Sequence, residues 1–214
     1  MPRPSVEAER KAQILASTCK VIAAEGFRHL RVSDVAKDAG VSGGTVHYYF
    51  ETKRELTDAA FEHCFKVSVT RRRWILESDE PPLSRLRMVV ESYLPEGAET
   101  VEAWKVWAEL WVEAIRSPEL QELNERFYGE WRDIVASIFR DGQASGDILA
   151  PGDPVELANM MVSMLDGLAL QVLAGSKAMT VDTMRTTCLR FVDQLSTANA
   201  GQPGPVAANA PGIG

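Results

Sequence analysis

Between residues 42 and 49 the chain reads Ser-Gly-Gly-Thr-Val-His-Tyr-Tyr, which sets hydroxyls, an imidazole and two phenols beside two residues without side chains. The chemistry such groups do together is hydrogen bonding to anions and to the edges of bases, not bond making. A helix beginning after Ser42 leaves its first N–H groups unpaired, and Gly43 and Gly44 let a phosphate come close to them. Thr45 and Tyr49, one turn apart, suit phosphate oxygens, which fix register on a duplex without reading its sequence. His47 and Tyr48 suit base edges or a thymine methyl. The forked contacts of Arg or Asn are missing from this run, so readout would lean on apolar contact, water and duplex shape. By itself a Tyr-Tyr-Phe run is ordinary core material, and its surroundings are what favour the exposed reading.

Those surroundings are a pair of short helices in residues 32–53, VSDVAKDAGVSGGTVHYYFETK. Val32, Val35, Ala36 and Ala39 recur at helical spacing, and Gly40 stops that helix after its apolar face is made. After a tight turn Ser42 caps a second helix, in which Val46 and Phe50 point inward and Thr45, His47, Tyr48 and Tyr49 are left outside. Lys53 follows at the start of the next helix. His29 and His63 read as ordinary polar or partly buried residues.

A second group is aromatic. Trp104, Trp107 and Trp111 fall at i, i+3 and i+7 on one predicted helix, with Phe127, Tyr128 and Trp131 on the next. Such a cluster lines either a packed core or a cavity, and with Glu109 and Glu113 nearby in sequence an aromatic box could hold an organic cation. Nothing points to catalysis or a cofactor. Metal-ligand spacing and a Gly-rich phosphate loop are missing, and the neighbours His63 and Cys64 diverge by about 100° on a helix. Cys19, Cys64 and Cys188 are widely spaced and odd in number, the pattern of reduced, packed thiols rather than of disulfides. Arg71, Arg72 and Arg73 lie about 30 Å along their helix from Lys53, too far to join it on a duplex. They are expected to pair with the acidic second half or to stay solvated.

The pattern is helical nearly throughout the 214 residues, with no useful β alternation and no internal repeat. One apolar stripe over residues 8–25 carries Ile14, Leu15, Thr18, Cys19, Val21 and Ile22 and ends at Gly26. Thr52 and Glu55 have capping-box spacing at the head of a helix to about residue 76, and Pro81 and Pro82 mark a boundary. Further helices are expected at about 83–94, 99–116, 119–145, 154–174 and 180–196, with Ser117 and Asp153 as caps before Pro118 and Pro154. The uncharged Gly/Pro/Ala stretch from residue 198 is expected to be disordered. The net charge of −7 is uneven: residues 1–75 hold 13 Lys and Arg against 9 Asp and Glu, whereas residues 76–214 hold 10 against 21. An N-terminal part that meets phosphates and a C-terminal part that does not would divide charge this way. No apolar run approaches the ~20 residues that span a bilayer, and the first residues lack a signal-peptide core, so a cytoplasmic protein without membrane contact is expected.

The stretches ILASTCKVIAAEGF, VSDVAKDAGVSGGTVHYYF and TKREL resemble, in order and spacing, the N-terminal half of the TetR/AcrR family of transcriptional repressors. AWKVWAELWVEAIRSPELQELNERFYGEWRDIVASIFRDGQASGDI and LDGLALQ resemble, more weakly, the C-terminal domain of its BetI-type branch. The resemblance implies an all-α fold of about nine helices: a three-helix helix-turn-helix domain over 8–53, a larger ligand-binding and dimerisation domain over 54–197, then the tail over 198–214. It implies a cytoplasmic homodimer on a palindromic double-stranded DNA operator, released by a small-molecule inducer. Thr45, His47 and Tyr48 match positions that approach bases and nearby backbone, Tyr49 and Lys53 match phosphate contacts, and Val46 and Phe50 match packing positions. Two positions depart from the family pattern. Arg31 replaces a capping Thr, so either Ser33 caps a shorter helix or Arg31 touches phosphate; Gly43 removes a polar side chain and one potential contact. Two reading helices about one turn of DNA apart, ~34–36 Å, require a two-fold dimer. The expected interface is Leu157, Met161, Met164, Leu165, Leu168, Val172, Met184, Cys188 and Phe191, with Met160 alongside and Gly167 allowing close approach. Two other classes stay open at this stage, a helical adaptor or an enzyme, either with a vestigial DNA-binding motif.

Overall fold

The computed structural model describes residues 6–196, and the stretch expected to be disordered, 198–214, lies outside them. The described residues form the expected all-α fold: α1 (Val6–Glu25), α2 (Val32–Asp38), α3 (Gly43–Tyr49), α4 (Lys53–Leu76), α5 (Pro82–Tyr93), α6 (Ala98–Ala114), α7 (Pro118–Ser145), α8 (Pro154–Leu173) and α9 (Val181–Gln194). Local chemistry accounts for the starts. Ser42, Thr52, Ser117, Asp153 and Thr180 each accept a backbone N–H at the head of the following helix. At α4 the device is reciprocal, because the Glu55 carboxylate in turn accepts the Glu51 N–H at 3.0 Å. At α2 the N-cap is Arg31, whose side chain makes no capping bond. Ser33 therefore sits within the first turn instead of capping, and its hydroxyl lies 3.5 Å from Asp34 Oδ1.

Helix α1 is the hinge of the architecture. It packs on α2, α4 and α6 at once, α2 packs on α3, and so the three N-terminal helices are joined to the rest through α4 and α6. Behind them α7 runs along α8 and touches α4, α5 and α6, while α9 closes the far side against α5 and α8. The stripe predicted for α1 is its buried face, Ile14 and Ile22 being fully enclosed. All three cysteines are buried free thiols, and burial pushes the Cys188 thiol up to about 11.

Two expectations are corrected here. By length and composition α8 is apolar enough to cross a membrane, although no such run was read from the sequence. In this fold it lies between α7 and α9 and buries Leu157, Ala158, Met161, Val162, Leu165, Asp166 and Ala169. That position also corrects the expected interface. Leu157, Met161, Leu165, Met184 and Cys188 are enclosed within the single chain, the first three on α8, which packs on α7 and α9, and the last two on α9, which packs on α5 and α8. Met164, Leu168, Val172 and Phe191 are partly exposed, beside the open Met160 and Leu170. Gly167 lies on this outer face with nothing within 4 Å of where a Cβ would stand.

Candidate nucleic-acid interface and ligand cavity

Helix α3 spans two turns, and its periodicity sorts its side chains as the sequence predicts. Val46 and the following Phe50 are buried, whereas Tyr48 is 77% exposed and His47 is also outside. The Tyr48 ring stands edge-on to that of Tyr49, which packs partly on the core beneath. Ser42 Oγ accepts the Thr45 N–H at 3.0 Å and lies 2.9 Å from the Thr45 hydroxyl, which ties the head of the helix and its first hydroxyl together. Gly43 and Gly44 have open space where a side chain would stand, apart from the Ser42 hydroxyl near Gly44. Arg31, Ser33 and Lys53 are exposed. Neither Arg31 nor Lys53 has a carboxylate partner among the described residues; the Lys53 ammonium lies 6.0 Å from the centre of the Phe27 ring. Its neighbour Arg54 is engaged by Asp58 and Glu119 at 3.7 and 3.4 Å.

The predicted partners of the tryptophans turn out to serve this end of the molecule. Glu109 Oε2 accepts the backbone N–H of Phe27 at 2.8 Å, and Glu113 Oε1 accepts from Arg28 Nε at 2.8 Å. Both carboxylates therefore hold the loop between α1 and α2. Gly26 permits this turn, since its φ of +82° is a conformation that residues with side chains rarely adopt. The correction has a plain geometric reason: each acid is two residues, about 200° around the helix, from Trp111.

On the opposite face of α6, Trp104, Trp107 and Trp111 meet Phe127, Tyr128 and Trp131 of α7 around a cavity of about 70 Å³. The six predicted aromatics are thus brought together. The chain also adds Phe65, Tyr93 and a set of polar groups that sequence reading missed. Tyr93 stacks on Trp131 and stands edge-on to Trp104, whose indole N–H donates to the Tyr93 carbonyl at 2.8 Å. Asp166 enters from α8, buried, and accepts a hydrogen bond from the Tyr128 hydroxyl. Burial lifts its carboxyl to about 6 against the pull of that bond, and burial beside this acid raises the Tyr128 phenol. The signal was present in the sequence: Asp166 is the one charged residue between Glu156 and Lys177.

Arg71 and Arg72 also line the cavity, which corrects their expected pairing with acids or solvent. Arg72 is drawn under the rings, its guanidinium 4.9 Å from the centre of Tyr93 and 5.5 Å from that of Trp131. It donates to Ser92 Oγ, to the Ser92 carbonyl and to the Ser68 carbonyl at 3.0, 2.9 and 3.1 Å, and desolvation lowers its pKa. No metal-holding group of acids, histidines and cysteines occurs among the described residues.

Residues 14–60 match the family model for bacterial regulatory proteins of the tetR family, and residues 82–197 match that for the C-terminal part of BetI-type transcriptional repressors. The chain is 25% identical over 211 residues to the HTH-type transcriptional regulator BetI of Ectopseudomonas mendocina, across 92% of this chain and 100% of that relative. It is 30% identical over 132 residues to BetI of Proteus mirabilis, across 59% and 66% of the two chains. Among solved structures, a transcriptional regulator from Saccharomonospora viridis in complex with choline superposes with a TM-score of 0.80 at 30% identity, over 86% of this chain and 96% of that one. A TetR-family regulator from a Rhodococcus species superposes with a TM-score of 0.79 at 28% identity, over 88% and 99%.

Proposed function

Since the chain belongs to the tetR family of bacterial regulatory proteins, with a BetI-type C-terminal half, we propose that it represses transcription as a homodimer on a palindromic operator and lets go when a small organic cation fills its aromatic cavity. In this reading residues 8–53 are the reading head, residues 54–197 sense the ligand and dimerise, and the protein works in the cytoplasm. The observation that carries it is the outward face of α3, where Tyr48 and His47 are exposed beside the capped helix head and beside Arg31 and Lys53, which have no carboxylate partner among the described residues. His47 and Tyr48 read base edges; Arg31, Ser42, Thr45, Tyr49 and Lys53 take phosphates, with Gly43 and Gly44 allowing close approach and Ser33 flanking them.

The cavity supports the ligand half of the reading. Indole and phenol faces with one buried carboxylate are what a desolvated ammonium group needs, and a related regulator is solved with choline. The partly exposed Met164, Leu168, Val172 and Phe191, with Met160 and Gly167, form the surface we assign to the second copy. Signal transfer falls to α6, which presents its tryptophans to the ligand and its Glu109 and Glu113 to the loop that sets α1 against α2. A ligand that shifts α6 favours a spacing of the two reading heads unfit for the operator. Footprinting of the purified protein on its own upstream region, with and without choline, tests the whole. Protection of a two-fold symmetric site that choline abolishes is expected, and failure to bind that DNA at low salt would overturn the reading.

A further inference from the structure

The cavity is better supplied with donors than with acceptors. Its one carboxylate, Asp166, already accepts from Tyr128, yet two arginines line the same space and neither pairs with an acid among the described residues. Arg72 spends its N–H groups on Ser68 and Ser92. Arg71 does not: its Nη2 is buried without a hydrogen-bond partner, and so is the Trp111 indole N–H. The Trp131 N–H is buried beside the Tyr93 hydroxyl but out of hydrogen-bonding geometry. Leaving a buried charged donor unmet costs more than leaving a neutral one. A bare cation would meet Asp166 but leave Arg71 and Trp111 unmet and add a third positive charge beside two guanidiniums.

We propose that the ligand is a small zwitterion, its ammonium group on the indole faces beside Asp166 and its carboxylate on the Arg71 guanidinium and the Trp111 N–H. This rests on the reading of the cavity as the effector site and names the chemical class that the site takes. Size agrees. At roughly 10–15 Å³ for each water-sized occupant, a cavity of about 70 Å³ holds a molecule of few non-hydrogen atoms. A carboxylate matches the planar fork of a guanidinium in two parallel bonds, which a hydroxyl cannot do.

The test is a square of four compounds of one shape titrated into the full chain at pH 7.5, read by tryptophan fluorescence and calorimetry. Trimethylglycine has both charges, choline only the cation, 3,3-dimethylbutanoate only the carboxylate, and 3,3-dimethylbutan-1-ol neither. Trimethylglycine is expected to bind about tenfold tighter than choline, the increment of one charge-assisted pair, and tighter still than the other two. Arg71→Gln should collapse that preference toward parity and Arg71→Lys, which keeps the charge but loses the fork, should restore only part of it, with thermal melts establishing that both variants fold. Choline equal to or tighter than trimethylglycine would overturn the zwitterion and leave the cation reading standing. Equal binding of 3,3-dimethylbutanoate and trimethylglycine would overturn the cation half, and binding of none of the four would overturn both readings together.

Discussion

The reading head and the cavity place aromatic side chains for opposite ends. On α3 a tyrosine is left 77% exposed on a helix of two turns, and the residues proposed to meet DNA all fall in one short stretch, from Arg31 to Lys53. In the cavity aromatic groups converge from α4, α5, α6 and α7 and a carboxylate from α8, so that each taken alone looks like core. Stability and function are thus separable in the first region and fused in the second. A change on the reading face should cost recognition without folding energy, whereas a change in the cavity should cost or gain folding energy along with ligand affinity.

The sharpest way to break this contrast is Trp131→Ala. Trp131 is buried against Tyr93 and Arg72, so its loss should destabilise the chain by about 3–5 kcal/mol. Chemical denaturation measures this, and a loss below about 1 kcal/mol would mean that the rings line loose space and not a packed wall.

Next in size is Asp166→Asn, with opposite effects on stability and binding. Folding raises this carboxyl from its ordinary 3.8 to about 6, so the folded chain holds the proton more tightly than the unfolded one. The contribution of this group to stability is then fully present below about pH 4 and is lost as pH rises through about 6. Above pH 6 the Asn variant escapes this cost and should be more stable by up to about 2–3 kcal/mol, while binding an ammonium ligand at least tenfold more weakly. In the natural chain affinity for choline should fall below pH 6 as Asp166 takes up its proton. Of the titratable groups facing it, Tyr93 and Tyr128 are both raised by burial and stay neutral over that range. Isothermal titration from pH 5 to 8 checks this, and a flat profile would remove Asp166 from the site.

Tyr48→Ala is the mirror case. Its side chain touches little, so the melt should stay within about 0.5 kcal/mol of the parent, while operator affinity drops by about 1–3 kcal/mol, roughly five- to 150-fold. Equal loss on operator and random DNA would remove Tyr48 as a reader of bases. Between the two regions, Glu109→Leu deletes the acceptor for the Phe27 N–H. Choline should still bind, and its power to release the operator should fall several-fold when both are measured on one preparation. Unchanged release would move signal transfer away from α6.

What the sequence disclosed follows the same division. The partition of Val46 and Phe50 inward and Tyr48 outward needs only the period of one short helix and its Ser42 cap, so it was legible. The six cavity aromatics were legible as a cluster because they too recur at helical spacing. Their polar complement was not, because which face of α4 or α8 meets them is decided by packing between helices distant in the chain. Arg72, for one, looks solvated within an Arg-Arg-Arg run, yet α5 lays Tyr93 and Ser92 over it. The lone acid of α8 was a usable clue, and about 100° per residue on α6 already excluded Glu109 and Glu113 from the tryptophan face. Leu157, Met161, Leu165, Met184 and Cys188 read as interface because an apolar stripe does not say whether its partner is another helix of the same chain or a second copy.

The smallest expected effect is also the most selective. Lys53 and Arg54 are adjacent, both basic and both exposed at the head of α4, so composition alone gives them equal claim on a phosphate. Their surroundings differ: Arg54 already lies with Asp58 and Glu119, whereas Lys53 has no carboxylate partner among the described residues and lies over the face of Phe27. Releasing a side chain from two carboxylates offsets what a phosphate returns, so Lys53 should carry the contact and Arg54 should not. Lys53→Ala is then expected to weaken operator and random DNA alike and to lower the slope of log affinity against log salt by about 0.9 for each phosphate lost. Arg54→Ala should leave that slope where it was. A salt series on fragments with and without the operator measures both, and a slope that moves with Arg54 instead would turn the head of α4 a different way toward the duplex.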